Sequence, residues 1–463
     1  MPIMPTVSTL NANSVGILNA IRDNASADYY NAVPAAQATT ESIQAVGQAI
    51  LAYQPRMNEF VSSLVNRIGK VMITSKLYQN PLSFMKQGIL DMGESIEEIF
   101  VNIAKVKGYD WNTTTDEAKL LLQRTNPDIR TAFHALNLQV YYPVTITESE
   151  LRLAFLSMNG VTDLISRIVN SLYSAANYDE YIMMKYDIAV NAWAGNIAAR
   201  TIKAVTDSAS GSEAVKAIKA ISRKFGFMST EYNVAGVNNY EADQTNIYVI
   251  MTADFESNVD VDVLASAFNI SKVEFMGRRV VVDNFSFNAG EIDRLKDILA
   301  NDPTAPNILD DITEINAALN TVGCIVMGRE YMQVYDVLER FTEQYNAALL
   351  CWNDFFHKWS IFSASPFTNV CMFTTTTPSV TSVNVVAPST GHPEDIIHPT
   401  VTVSATAFAN KGVVWSITPT TNVSIDPATG VTKFGASATG EYTLTATSVF
   451  DSEKKGTAAI TIS

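Results

Sequence analysis

The sequence changes character near residue 380, and this change limits what the chain can fold into. From Val380 to Ser463, short runs of alternating apolar and polar residues are separated by turn residues, a pattern typical of β-strands. The preceding stretch, residues 374–379 (TTTTPS), has the polar, proline-containing composition of a linker. Long helical patterns mixed with strand patterns come before it. We therefore expect two parts: an α+β body and an all-β C-terminal domain.

The C-terminal segment contains several strand patterns with a shared apolar face. Residues 413–417 form a β-branched run around Trp415, and residues 441–448 alternate apolar side chains with threonines. Short strands at this spacing are typical of a small sandwich of two packed sheets. We expect its core to contain Trp415, Tyr442 and Leu444.

Composition and charge exclude some classes of function. The chain has 463 residues, enough for about two to four domains. Its formal net charge of −15 argues against a phosphate-binding groove, because such grooves need clustered Lys and Arg. A wall that only encloses nucleic acid could still carry this charge. Charged residues make up 17% of the chain, below the roughly 25% of soluble domains, which fits either a partner-covered surface or a neutral, β-rich composition.

The cysteines and the N-terminus indicate a reducing compartment. Cys324, Cys351 and Cys371 are widely spaced among apolar residues and form no CxxC pair, so we expect three buried thiols rather than a zinc site or a redox pair. The N-terminal residues MPIMPTVSTLNANSVG lack the basic and apolar regions of a secretory signal. No run of 18 apolar residues is present, so no membrane span is expected.

The strongest helical pattern begins at residue 147. Thr147 and Glu150 have the spacing of a capping box, in which each side chain bonds the other residue's backbone. An apolar stripe follows at intervals of three and four residues: Leu151, Phe155, Met158, Ile165, Ile168, Leu172 and Ala176. We expect a helix of about 40 residues, a rod of roughly 60 Å, which Gly160 could kink.

The rest of the body predicts an irregular mixture of helices and strands. Residues 71–144 form an extended excursion without a clear core face, as in partner-binding loops. Helical patterns are also present over 1–60, 261–268 and 288–300, and an acidic helical piece is predicted near 116–123. A further helix is predicted after a capping box at 210–213, with Val215, Ile218, Ile221 and Phe225 on one face. Strands are predicted over 246–251, over 279–282 and within 322–373.

Candidate chemistry is sparse. The sequence contains no nucleophile elbow, phosphate-binding glycine loop or zinc-protease histidine pair, so we expect neither an enzyme nor a cofactor or metal site. His392 and His398 fit no helix face and are expected in a surface loop. Adjacent Glu97 and Glu98 would point apart, which favours a solvated or interface position over acid–base work. The aromatic run 352–362 is expected in the core or at a subunit contact.

Short motifs in a fixed order resemble one protein family. The motifs of the body are Asn80-Pro81-Leu82, Ser95–Ile99, Phe133-His134, Asp179-Glu180-Tyr181, Met184-Lys185, Asn258–Ala265, Ala267–Asn269, Val334–Asp336 and His357–Trp359, and those of the tail are Val414-Trp415 and 445–448. With these motifs the body resembles the major capsid proteins of phi 29-like podoviruses. The tail resembles bacterial immunoglobulin-like domains of group 2, the intimin and invasin group.

This resemblance implies the Hong Kong 97 phage capsid fold, with an extended loop that overlaps a neighbouring subunit. The implied division is an N-terminal arm and start of the peripheral domain (1–73), the extended loop (74–143), the spine helix of the peripheral domain (144–199), the axial domain (200–321), a return through the peripheral domain (322–373), the linker (374–379) and the immunoglobulin-like domain (380–463). Candidate inter-subunit contacts in the loop are Phe84, Lys86, Asp91, Glu94, Glu97, Glu98, Arg124 and Arg130. A covalent crosslink through Lys86 is not expected, because it needs groups supplied by a neighbour.

The function implied is that of a major capsid protein of a tailed bacteriophage. Its copies would form pentamers and hexamers in an icosahedral or prolate shell, assembled in the host cytoplasm and located in the virion. Implied partners are a scaffolding protein during assembly, a portal or connector at one vertex, and enclosed double-stranded DNA bound without sequence specificity; no membrane is implied. Removing Val380–Ser463 is expected to leave assembly largely intact. The alternative is a bacterial surface adhesin, suggested by the tail alone.

Overall fold

The computed structural model of the chain describes residues 10–68, 78–90, 95–106, 126–156, 160–259, 278–300 and 309–463, and it has the expected α+β body followed by an all-β domain. The helices are α1 (Leu10–Asn24), α2 (Ala27–Ala32), α3 (Thr40–Leu51), α4 (Gln54–Ile68), α5 (Glu148–Ala154), α6 (Gly160–Trp193), α7 (Ser208–Lys224), α8 (Ala253–Val259), α9 (Ala289–Leu299) and α10 (Ile312–Leu319). The body strands are β1 (Lys86–Ile89), β2 (Ser95–Val101), β3 (Ile129–Ala135), β4 (Leu138–Thr147), β5 (Ala198–Thr201), β6 (Ile247–Thr252), β7 (Arg278–Val282), β8 (Val322–Gly328), β9 (Met332–Asn346), β10 (Cys351–Ala364) and β11 (Val370–Thr374).

The predicted rod is two helices rather than one. The capping box is confirmed at α5, where Thr147 and Glu150 exchange both hydrogen bonds. The single helix of about 40 residues is wrong, because α5 ends at Ala154 and α6 begins at Gly160. A Cβ on Gly160 would collide with the Ala154 carbonyl, so the two helices meet at a point that only glycine fits. The 34 residues of α6 still span about 51 Å.

One sheet packs against α6 and the N-terminal helices. Its strand order is β1-β9-β10-β4, and β9 and β10 form a long antiparallel hairpin. The predicted helical character of residues 1–60 is confirmed over 10–60 by α1–α4, and residues 1–9 lie outside the described residues. These helices share a core with this sheet and with five residues of the predicted stripe: Leu151, Phe155, Ile168, Leu172 and Ala176. Trp352 and Phe356 are buried in that core, so this part of the aromatic run is core. Met158 lies outside the described residues.

A second sheet lies between two layers of helices. Its order is β5-β11-β8-β6-β7, and successive residues face α7 and α8 on one side and α6, α9 and α10 on the other. The predicted apolar face of α7 is confirmed, with Ile218 and Phe225 fully buried. Its cap was misplaced by the sequence: Asp207, not Ser210, caps α7, because Asp207 Oδ1 accepts the Ser210 N–H at 2.8 Å.

The remaining predictions for the body have mixed outcomes. The strands at 246–251 and 279–282 and the helix at 288–300 are confirmed by β6, β7 and α9. All three cysteines are buried free thiols, as expected. The helices predicted at 116–123 and 261–268 lie outside the described residues.

The C-terminal domain contains three small sheets around one apolar core. Its strands are β12 (Val380–Val386), β13 (Thr390–Gly391), β14 (Ile396–Ile397), β15 (Thr400–Ala405), β16 (Val413–Thr418), β17 (Val423–Ile425), β18 (Thr432–Phe434), β19 (Gly440–Ser448) and β20 (Lys455–Ile462). Sheet orders are β12-β15, β13-β20-β19-β16 and β14-β18-β17. Trp415, Tyr442 and Leu444 are buried in the core, as predicted.

Candidate subunit-contact surface

The part of the chain expected to contact a neighbour forms a two-stranded hairpin. Strands β2 and β3 pair antiparallel without a register shift, from Ser95 opposite Ala135 to Val101 opposite Ile129. Successive side chains in paired strands point to opposite faces. The hairpin therefore has one face toward the body, the inner face, and one face away from it, the outer face.

The outer face is apolar and exposed. Ile99 and Val101 of β2 are 59% and 60% exposed, and Ile129 and Phe133 of β3 are 53% and 69% exposed. Monomeric proteins seldom keep several large apolar side chains together in water, and such patches mark interaction surfaces. Glu97, which pairs with Phe133 across the strands, adds one carboxylate to this outer face.

The inner face is fixed to the body by polar and aromatic contacts. Glu98 Oε1 accepts a hydrogen bond from Ser365 Oγ at 2.8 Å, and its Oε2 lies 3.1 Å from His134 Nε2. His134 Nδ1 lies 2.8 Å from Ser363 Oγ. The ring of Phe100 stacks on Phe367 with centroids 5.5 Å apart. These contacts hold the hairpin in one orientation, with its apolar face outward.

Two further contacts extend this attachment along the hairpin. Arg130 donates a hydrogen bond from Nη1 to the carbonyl oxygen of Ala235. Asn102 Oδ1 accepts hydrogen bonds from the backbone and side-chain nitrogens of Asn238, at 3.3 and 3.2 Å. The hairpin is therefore supported by residues of its own subunit from its base to the Asn102 end of β2.

The base of the extended segment is tied to the body by a group of buried charges. Glu180 on α6 accepts hydrogen bonds from Lys358 Nζ at 2.7 Å, Lys86 Nζ at 2.9 Å and Asn80 Nδ2 at 2.9 Å. Lys86 Nζ also lies 2.5 Å from Asp336 Oδ2. We call these five residues the buried charge cluster. It joins β1, α6, β9 and β10.

The cluster favours the charged forms of Glu180 and Lys86. Burial acts to raise the pKa of Glu180, but Lys358 and Lys86 outweigh it, and the pKa lies below its ordinary value. Burial acts to lower the pKa of Lys86, whereas Glu180 and Asp336 raise it above its ordinary value. Opposite charges at hydrogen-bond distance thus compensate the loss of water around them.

The candidate contact residues fall into three groups. Phe84 and Lys86 contact their own subunit: Phe84 stacks on Tyr248 with centroids 4.2 Å apart, and Lys86 belongs to the buried charge cluster. Asp91, Glu94 and Arg124 lie outside the described residues. The last group lies on the hairpin: Glu97 is on its outer face, whereas Glu98 and Arg130 are bonded to their own subunit.

Sequence reasoning missed the apolar residues of the outer face. The stretch SIEEIFV of β2 places Ile96 and Phe100 on one face and Ile99 and Val101 on the other. Apolar side chains on both faces of a strand indicate that both faces are covered in the working protein. This was the available signal, and the charged residues of the same stretch obscured it.

The described part of the chain shows neither a metal-binding cluster nor a membrane-spanning helix. Within those ranges, no group of three or more His, Cys, Asp or Glu side chains is placed to hold a metal ion. Likewise, none of the described helices has the length and apolarity needed to cross a membrane. His392 and His398 are exposed on the C-terminal domain, in agreement with the expected surface loop.

Comparisons with known proteins point to one family. Residues 18–374 match the family described as Phi29-like phage major capsid protein. The chain is 31% identical over 446 residues to the major capsid protein of Bacillus phage B103, an alignment covering 94% of this chain and 90% of that protein. It is 31% identical over 413 residues to the major capsid protein of Bacillus phage PZA, covering 87% and 83%. A chain in the capsid structure of Staphylococcus phage Andhra aligns with a TM-score of 0.45 and 14% identity, over 66% of this chain and 87% of that one.

Proposed function

Since the chain belongs to the Phi29-like phage major capsid protein family, and is thus a virion component that assembles with other copies into a capsid, we propose that it forms the head shell through a Hong Kong 97-type fold. In this proposal residues 74–143 are the extended loop, and 144–199 contain the spine helix of the peripheral domain. Residues 200–321 form the axial domain. The long α6, the two-stranded hairpin and the two helix-covered sheets support this division.

The observation that carries the proposal is the exposed outer face of the β2–β3 hairpin. Ile99, Val101, Ile129 and Phe133 are apolar and exposed on a segment whose other face is already bonded to its own subunit. In a shell built from many copies of one chain, the surface available to cover these side chains belongs to a neighbouring copy. We therefore propose that the outer face lies against the next subunit, within pentamers and hexamers.

Other partners follow from the same role. We propose that a scaffolding protein directs assembly in the host cytoplasm and that a portal or connector occupies one vertex. The net charge of −15 supports enclosure of double-stranded DNA without specific binding, because a wall of the same sign as DNA does not hold it. The three buried free thiols support assembly in a reducing compartment such as a cytoplasm.

The C-terminal domain is proposed to be a bacterial immunoglobulin-like domain of group 2 that faces outward from the shell. Its three small sheets and its core around Trp415 support this assignment. The adhesin alternative rested on this domain alone, whereas the family match covers residues 18–374 of the body.

A double substitution on the outer face tests the proposed contact. Val101→Ser with Phe133→Ser removes apolar surface that is mostly exposed in the subunit, so the isolated subunit should keep its thermal midpoint. Co-expressed with the other head proteins of its phage, this variant should lose closed shells under electron microscopy. The matched control is Val386→Ser, at an exposed position on the C-terminal domain. Closed shells in normal yield from the double variant would refute the contact.

A further inference from the structure

We infer that the C-terminal domain is an integral part of the subunit core, where Phe408 closes the body at the C-terminal end of α6. This role is separate from outward display and does not depend on the shell contacts proposed above. It also departs from the sequence-based expectation that removing residues 380–463 leaves assembly largely intact. Three independent features of the structure support it.

The first feature is a loop whose neighbouring residues belong to two different cores. Phe408 is 2% exposed and belongs to the apolar core cluster of the body, which also contains residues of α6, α9, α10 and both body sheets. The next residue, Ala409, is fully buried in the core of the C-terminal domain. Removing the domain would therefore leave a cavity of aromatic size in the body.

The backbone of this loop is held in an unfavourable conformation. Phe408 has φ of +66°, in the left-handed region that residues with a side chain rarely adopt. Such a conformation persists where surrounding contacts over-determine it. The burial of the Phe408 ring supplies those contacts, so the loop is shaped by its place in the body.

The second feature is the close approach of the two parts at the end of α6. Gly195 has φ of +74°, and a Cβ there would lie 2.5 Å from Asn410 Cα. Only glycine allows the C-terminal domain to approach this closely. Beside it, Lys411 Nζ lies 5.3 Å from the centre of the Trp193 ring, within the range of a cation–π interaction.

The third feature is the connection itself, which is bonded along most of its length. Thr374, the first residue of the predicted linker, is the last residue of β11 and lies 2.7 Å from Thr321, hydroxyl to hydroxyl. Thr376 donates to the same Thr321 hydroxyl at 3.1 Å. At the far end, Ser379 N–H donates to Thr406 Oγ1 at 2.7 Å. A connection anchored at both ends does not act as a flexible tether.

These features together predict that the body and the C-terminal domain unfold as one cooperative unit. Truncating Phe408 would remove the shared contact while leaving the sandwich core, with Ala409 and Trp415, in place. The body and the C-terminal domain should then unfold in separate transitions at different temperatures. If the C-terminal domain were only tethered to the body, truncating Phe408 would not change how the two parts unfold.

Calorimetry of the full-length, unassembled chain tests the inference with Phe408→Ala and the control Phe450→Ala, an aromatic residue 44% exposed on the same domain. For Phe408→Ala we expect the single transition to split and the midpoint of the body to fall by about 5 °C or more. We also expect trypsin to cut this variant after Lys411 faster than it cuts the wild type there. Phe450→Ala should keep one transition and an unchanged midpoint. A single, unshifted transition for Phe408→Ala would overturn the inference.

Two further variants address the interface from both sides. Gly195→Ala disturbs the contact from the body and leaves every residue of the C-terminal domain unchanged, so it should give the same split transition. Phe408→Leu keeps most of the buried volume and should recover most of the lost midpoint. If Phe408→Ala fails to fold, a split transition in Gly195→Ala supports the inference, and an unchanged one contradicts it.

Discussion

Lys358 Nζ on β10 donates a hydrogen bond of 2.7 Å to the carboxylate of Glu180 on α6, and both side chains are 4% exposed. The same carboxylate accepts Lys86 from the start of β1 at 2.9 Å. The buried carboxylate of Glu180 thus links α6 to the β9–β10 hairpin and to β1 at the base of the extended segment. Lys358 and Lys86 both pair with it, and Lys86 pairs with Asp336 as well.

Loss of the Glu180 charge should therefore strongly destabilise the subunit. Glu180→Gln leaves Lys358 buried beside a neutral amide, and breaking a buried pair by removing one partner costs about 3–5 kcal/mol. Urea unfolding followed by circular dichroism measures this loss. The matched control is Glu339→Gln, which changes a half-exposed carboxylate 3.8 Å from the same lysine and should cost less than about 1 kcal/mol. Equal stability of Glu180→Gln and the wild type would contradict the role of the cluster.

The same cluster predicts a specific acid response. The folded-state pKa of Glu180 is below its ordinary value of 4.5, because Lys358 and Lys86 outweigh burial. The carboxylate therefore contributes stability that is fully present above pH 4.5 and is lost as pH falls through the lower, folded-state pKa. Wild-type stability measured from pH 6 downward should decline in this acidic range, and Glu180→Gln should decline less steeply. Parallel curves for the two proteins would show that other carboxylates dominate.

Asp354 predicts the opposite dependence on pH. It is 1% exposed on β10, and neither of its oxygens has a hydrogen-bond partner within the described structure. Burial, with a smaller effect from Glu343 on the paired strand, raises its pKa from 3.8 to about 7. Between these values the folded chain retains a proton that the unfolded chain has released, so stability falls as pH rises through this window.

Replacing Asp354 with asparagine should remove this penalty. We expect Asp354→Asn to be more stable than the wild type by about 1–3 kcal/mol at pH 8 and to differ little near pH 4. Thermal unfolding across this range measures the difference, with Asp297→Asn on the exposed side of α9 as the control. A wild-type advantage at pH 8 would show that the Asp354 carboxylate is compensated.

Sequence patterns predicted local structure well and long-range contacts poorly. The capping box of Thr147 and the alternation over residues 441–448 depend on neighbours a few residues away, so both could be read from the chain. The buried charge cluster joins Asn80 to Lys358, and no local pattern specifies which Lys reaches which acid. The docking of Phe408 likewise depends on a surface formed by distant parts of the body.

Competition between equivalent local signals explains the misplaced cap. Residues 207–213 contain two overlapping boxes, one from Asp207 to Ser210 and one from Ser210 to Glu213. The fold uses the first, which lengthens α7 by about one turn. For the candidate site, charged residues were favoured by sequence reasoning, whereas the structure exposes the apolar Ile99 and Phe133.

A shortened hairpin should separate folding from assembly. Ser95 and Ala135 are paired directly, so a short Gly-Ser turn can replace residues 97–133 without displacing the body. This variant should remain folded and fail to form closed shells. Deleting residues 82–123 instead removes the buried Leu82 and also Lys86, and should unfold the body. Circular dichroism and electron microscopy of both variants distinguish the two effects, and closed shells from the shortened hairpin would refute its role.

Cryo-electron microscopy of the purified phage head at side-chain resolution tests the central claim most directly. The account predicts that every hexamer and pentamer position contains this fold, with Val101 and Phe133 of each copy buried against a neighbouring copy. A shell in which the outer face of the hairpin is exposed to solvent in all copies would contradict it.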